Sequence, residues 1–190
     1  MKKLFASDPE FIIFTGPMFG SKTTRLLAAV DRYRYQNKKI VAFKPVMDER
    51  YSKSEISTHS GGRLHAIGVK SGTDVVEYIR NSNSNYDVIA VDEAFMIKQC
   101  AETLISLFRE GKTIVVSSLQ LSATGKVFEE IRDMMPWATK IEVCPAVCPA
   151  TGRDAYYTRR KFEGDEITVG GSDLYEPRCW EFHDFIRQEK

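Results

Sequence analysis

The chain has 190 residues, 43% hydrophobic and 28% charged, which suits one solid core with a small appendage and excludes disordered and fibrous classes. Its 27 basic and 26 acidic side chains leave a net charge of +1, so no broad field draws it to nucleic acid or to an anionic membrane. No apolar run approaches the roughly 18 residues a membrane helix needs. The start, MKKLFASDPE, lacks the apolar stretch of a secretory signal. Four cysteines without such a signal point to a reducing, cytoplasmic setting, where thiols bind metal or sit buried.

In chain order, FIIFT at 11–15 is a short apolar run of the kind buried on both faces of a parallel sheet. A helix is expected over 23–35, with Leu26, Leu27 and Val30 at near-helical spacing. IVAF at 40–43 is a second strand. The segment 73–80 is a helix with Thr73 and Asp74 as cap candidates and Val75, Val76 and Ile79 on one side. NSNSN at 81–85 is a loop. YDVIAVD at 86–92 is a third strand, a helix over 98–110 stops at Gly111 and carries Cys100 as a small core residue, and KTIVVSS at 112–118 is a fourth strand. A last helix is expected over 124–135 from Val127, Phe128, Ile131 and Met134. This alternation implies an α/β fold with a parallel sheet and right-handed crossovers, occupying 1–143. Residues 144–190 form a second, small, loop-rich domain, in which FEGDE at 162–166 is expected to make a hairpin turn.

The stretch GPMFGSKTT places Gly16, Gly20, Lys22 and Thr23 close to the phosphate-binding pattern G-x-x-x-x-G-K-[ST], with Ser21 where the pattern has glycine. A strand feeds it and a helix leaves it, the context in which loop amides and a helix N-terminus cradle phosphates. Pro17, Met18, Phe19 and Ser21 belong to the same loop. Lys22 would reach the β- and γ-phosphates of ATP, and Thr23 would hold Mg²⁺. The plain alternative is a strand–turn–helix with a lysine in its first turn, which sits badly with the helix dipole unless an anion is present.

DVIAVDEAF supplies a buried strand ending in Asp92, suited to Mg²⁺, with Glu93 next to accept a proton from an attacking hydroxyl. Strand-end acids also cap helices or face solvent. The loop about 70 residues earlier makes phosphoryl transfer the better reading.

Cys144-x₃-Cys148 and Cys179-x₃-His183, separated by 30 residues, read as a closed tetrahedral set for structural Zn²⁺, both pairs lying in a segment poor in apolar core. The alternative is three buried thiols and a surface histidine.

In this order, GPMF, KPVMDERY, STHSGG, VDEA and VGGSDLYEPRC resemble the type II thymidine kinases, from about Phe11 to His183. The resemblance implies a P-loop NTPase-like domain with a C-terminal zinc-binding lasso, ATP and Mg²⁺ as cofactors, and a thymidine-like pyrimidine deoxynucleoside as substrate. It implies Lys22 and Thr23 on ATP and Mg²⁺, Asp48 and Arg50 near the phosphates, and Glu93 as general base on the 5′-hydroxyl. A lasso including Val169, Gly170 and Gly171 would close over thymine, with Tyr175 stacking and Met18, Leu119 and Thr158 bordering the base. A homotetramer is also implied.

The chain departs from the family at Ser21, at Phe95 for glutamine, at Met96 and Ala123 for aromatics, at Gln120 for aspartate, and in both the Cys144–Cys148 and Cys179–His183 pairs, each one residue wider. Met96 and Ala123 lead to the expectation of a roomier base pocket unless neighbours fill it. Rival readings are a kinase for another pyrimidine deoxynucleoside, a catalytically inactive nucleotide-binding regulator, and a zinc-ribbon nucleic-acid binder using Tyr156, Tyr157, Arg159 and Arg160.

Overall fold

The computed structural model describes residues 8–47, 54–58, 61–161 and 170–183. Asp48, Arg50, Val169 and the FEGDE turn lie outside them.

The first strand, β1 (Phe11–Thr15), leads into α1 (Lys22–Tyr35), which returns to β2 (Ile40–Pro45). A short hairpin, β3 (Glu55–Ser57) and β4 (Arg63–His65), precedes β5 (Ile67–Val69) and α2 (Gly72–Asn81). Then come β6 (Val88–Val91), α3 (Cys100–Arg109), β7 (Thr113–Ser117), α4 (Glu129–Met134) and β8 (Lys140–Val143). Six strands form one parallel sheet in the order β5-β2-β6-β7-β1-β8.

Alternate residues of each strand feed opposite faces. Ile12, Phe14, Ala42, Ala90 and Val115 meet Leu26, Val30 and Tyr33 of α1 and Ile56 and Leu64 of the hairpin. Phe11, Ile13, Phe43, Ile89, Val91, Ile114 and Val116 meet Val75 of α2, Leu104 and Leu107 of α3, and Ile131 and Met134 of α4. Cys100 is fully buried in that second layer, and burial raises its thiol pKa. A fully buried side chain such as Leu26 contributes about 2 kcal/mol through removal from water. This two-sided burial is why the strand sequences do not alternate.

Two helix readings change. The N-cap of α2 is Ser71, in a capping box with Asp74, so Thr73 lies inside the helix. The helix expected over 124–135 is only Glu129–Met134, followed by a 3₁₀ turn at Met135–Trp137. Ahead of it, Gly125 at φ 80° and the Ser122 hydroxyl, which accepts the Lys126 N–H, close a turn that pairs Leu121 with Val127. Val127 is 47% exposed. Its apolar character mimicked a helical face, and local turn chemistry won.

After β8 the chain builds two small antiparallel pairs: β9 (Ala146–Val147) with β10 (Asp154–Ala155), and β11 (Tyr157–Arg160) with β12 (Tyr175–Arg178).

Candidate active site

The site gathers at the carboxyl ends of β1, β6 and β7, the edge where parallel sheets bind ligands. Gly16 (φ 133°), Pro17, Met18, Phe19, Gly20 and Ser21 turn from β1 into α1. A Cβ on Gly16 or Gly20 would overlap the backbone carbonyl of Cys144, which β8 carries under the loop. Close backbone approach therefore demands both glycines. Ser21 is held at φ 58°, ψ 21°, the left-handed region that favours glycine. Phe19 shares that region at φ 65°.

Lys22 is 7% exposed and its ammonium donates to the Pro17 carbonyl at 2.6 Å, so the cation lies across its own loop. The Thr23 hydroxyl donates to Asp92, 3.2 Å from Oδ1 and 3.4 Å from Oδ2. Asp92 is 6% exposed and also accepts from the Ser117 hydroxyl. A hydroxyl and a buried carboxylate at this spacing are hard oxygen donors that fit Mg²⁺.

Order in the sheet explains the meeting. β7 lies between β1 and β6, so its last residues bridge the two halves of the site. The Thr15 hydroxyl donates to the Ser118 carbonyl at 3.1 Å, and Ser118 Oγ accepts the Phe95 N–H at 3.2 Å. Sequence reasoning missed Ser117 and Ser118. The signal was present as two hydroxyls ending an otherwise apolar strand.

Glu93 follows Asp92 at φ 50°, ψ 45°, a left-handed non-glycine residue that starts the 3₁₀ turn Ala94–Met96. Such strain persists where surrounding structure over-determines it, and it re-aims the chain just past the strand. Within this turn, Phe95 packs its ring on Phe128, centroids 4.5 Å apart. Leu119 follows the end of β7, while Ala123 and Gln120 lie in the turn region beyond it. A cleft beside the loop is lined by Gly16, Pro17, Gln120, Ser122, Tyr157 and Thr158 among others.

Thr158 reaches the loop directly: its hydroxyl accepts the Met18 N–H at 3.0 Å. Tyr175, opposite Arg160 in the β11–β12 pair, is 6% exposed. Gly171 accepts the N–H groups of Leu174 and Tyr175 in the turn before β12, and a Cβ on Gly170 would meet the Leu174 side chain.

The proposed zinc set does not assemble. Among the described residues, no group of three or more His, Cys, Asp or Glu side chains could hold a metal ion. Cys144 ends the sheet side of the chain: its N–H donates to the Thr15 carbonyl and its Sγ lies 3.7 Å from the Glu142 carbonyl. Burial raises the Cys144 thiol pKa, with Glu142 adding to it. His183 turns Nε2 to the Thr158 carbonyl at 2.8 Å. Only Cys148 and Cys179 come together, with Ala146 and Ala155, in a small buried cluster. Burial pushes the Cys148 thiol up, but hydrogen bonds from the Cys179 backbone, Thr151, the Ala150 backbone and the Cys179 thiol bring it down to about 6. The spacing misled because three residues between ligands can be spanned by a strand as readily as by a knuckle. The β8–β9 path sends Cys144 and Cys148 to different neighbourhoods.

Of the arginines in the nucleic-acid reading, Arg159 is engaged within the lobe, 3.4 Å from Glu176, a carboxylate that also pairs with Arg178 at 2.5 Å. Tyr157 packs against His183 and Trp180.

A parallel sheet with a glycine-bounded loop at its carboxyl edge, a buried lysine and a hydroxyl–carboxylate pair fits a P-loop-like domain. A sequence model of the family described as thymidine kinase matches residues 10–183. The chain is 32% identical to the thymidine kinase of Pyrobaculum aerophilum over 175 residues, covering 88% of this chain and 95% of that protein. It is 35% identical to the thymidine kinase of Thermococcus kodakarensis over 181 residues, covering 90% and 92%. The chain belongs to the thymidine kinase family.

Proposed function

We propose that the site transfers the γ-phosphate of ATP to the 5′-hydroxyl of thymidine, giving ADP and thymidine monophosphate. The observation that carries this reading is the hydroxyl–carboxylate contact of Thr23 and Asp92 one residue from both Lys22 and Glu93. The loop amides and Lys22 hold the phosphates; Thr23 and Asp92 would hold Mg²⁺, which would supply positive charge against the phosphates. Glu93 takes the proton of the 5′-hydroxyl as its oxygen attacks phosphorus. Most of the acceleration comes from positioning and fixed charge. The base enters the cleft between the loop and Thr158, with Met18, Met96, Leu119 and Ala123 nearby and the segment holding Val169, Gly170, Gly171 and Tyr175 closing over it. Asp48 and Arg50 are assigned to the phosphates by resemblance alone. Zinc has no part in this reading, because its four candidate donors do not fit one ion. A cytoplasmic homotetramer completes the proposal; light scattering should return a solution mass of four chains, and a smaller mass would remove the tetramer.

Met96 and Ala123, where the family has aromatics, favour a second reading, a kinase that prefers another pyrimidine deoxynucleoside. Transfer of labelled γ-phosphate across a panel of deoxynucleosides tests both. Transfer is expected to thymidine, and Glu93→Gln should lower kcat by about 10²–10⁴-fold while ATP still binds. Preference for another pyrimidine selects the second reading; full activity in Glu93→Gln removes the base assignment.

A further inference from the structure

His183 is 2% exposed and follows the 3₁₀ turn Trp180–Phe182, where it packs edge-on against the Tyr157 ring at 5.8 Å. Its Nε2 lies 2.8 Å from the Thr158 carbonyl. A carbonyl only accepts, so Nε2 carries the proton. The ladder explains why this carbonyl takes a side-chain donor. Lys161 donates to Leu174 across the β11–β12 pair, which makes Lys161 and Leu174 a hydrogen-bonded pair. Alternation then makes Thr158 and Pro177 a non-hydrogen-bonded pair, so the Thr158 carbonyl turns away from β12. Proline, which has no N–H to offer, is tolerated there for the same reason. His183 supplies the donor from outside the ladder.

The other end of Thr158 touches the nucleotide loop. Its hydroxyl is the acceptor for the Met18 N–H, and Thr158 is itself 6% exposed. We propose that His183 is a positioning residue for the phosphate loop, acting through Thr158, and not a metal ligand. The imidazole fixes the height of β11 at Thr158, and the Thr158 hydroxyl fixes the first half of the loop at Met18. Cys144 works from the opposite side, its carbonyl packed under Gly16 and Gly20. Two of the four residues whose types suggest a zinc cage therefore steady the loop.

The inference rests on the loop's binding ATP, and the test separates the two. Calorimetric titration of Mg-ATP without nucleoside is made on the full chain and on His183→Leu, His183→Gln, Thr158→Val and the His183→Leu/Thr158→Val pair, with zinc content measured in each. His183→Leu and Thr158→Val should each weaken ATP by about fivefold, the size of one lost hydrogen bond. His183→Gln, which keeps a donor, should recover most of the affinity. The double variant should be no weaker than either single, because both break one chain of contacts. In turnover, KM for ATP should rise more than kcat falls, and zinc content should not follow residue 183. Wild-type ATP affinity in both His183→Leu and Thr158→Val overturns the proposal, as does zinc present in the wild type and lost in both His183 variants. If His183→Leu does not fold, unchanged affinity in Thr158→Val alone overturns it. Failure of the wild type to bind ATP would instead overturn the nucleotide reading.

Discussion

In the sheet, Phe11, Ile13, Phe43, Val91, Ile114 and Val116 are sealed between two helical layers, and their backbone groups are consumed by parallel pairing. In the lobe after β8, the buried cluster is Ala146, Cys148, Ala155 and Cys179, and polar contacts carry much of the rest: Thr158 to Met18, His183 to Thr158, Arg153 to Glu181, Arg159 and Arg178 to Glu176. One region is held by area, which tolerates local imperfection. The other is held by a few directed contacts, each of which matters to geometry more than to total stability. The nucleotide loop touches both, resting on β8 and bonded to Thr158.

Gly20→Ala gives the largest test of that contrast. Its Cβ would overlap a backbone carbonyl that cannot swing aside, so unfolding free energy should drop by about 1–3 kcal/mol and ATP affinity with it. A fully stable Gly20→Ala protein would show that β8 does not clamp the loop. Ser21→Gly goes the other way: removing a side chain from the left-handed region should raise stability by about 1 kcal/mol in denaturant titration. A loss of turnover in that variant would mean that Ser21 itself contacts the nucleotide.

The smallest effect belongs to the lobe. Cys148 is lowered to about 6 from the usual 9.0, so its thiolate contributes stability that is full above about pH 9 and lost as pH falls through about 6. Thermal midpoints should therefore decline across that window in the wild type and decline less in Cys148→Ser. Equal slopes would mean that hydrogen bonding to Cys148 is not part of what holds the lobe.

Local pattern was enough for the four inner strands of the sheet, but not for its edges, the three-residue β5 and the largely exposed β8. FIIFT, IVAF, DVIAV and TIVVS are strands because nothing else buries such runs on both faces, and GPMFGSKTT had to turn where its glycines and the following helix directed. Thr23, Asp92 and Glu93 were therefore legible as one site before any coordinates. Strand order was not: that β7 lies between β1 and β6, bringing Ser117 to Asp92, follows from packing of helices that meet only in three dimensions.

The cysteines show the limit most plainly. Residue type and spacing put Cys144, Cys148, Cys179 and His183 in one set, since spacing measures distance along the chain. Where each side chain goes depends on β8 joining the main sheet and β11 reaching the loop. Parallel pairing with β1 draws Cys144 under Gly16 and Gly20, and an outward-facing carbonyl on Thr158 draws His183 away from the thiol pair. Burial preference is written in the sequence residue by residue; the partners of a turned-out carbonyl or a strand end exist only once the sheets have formed.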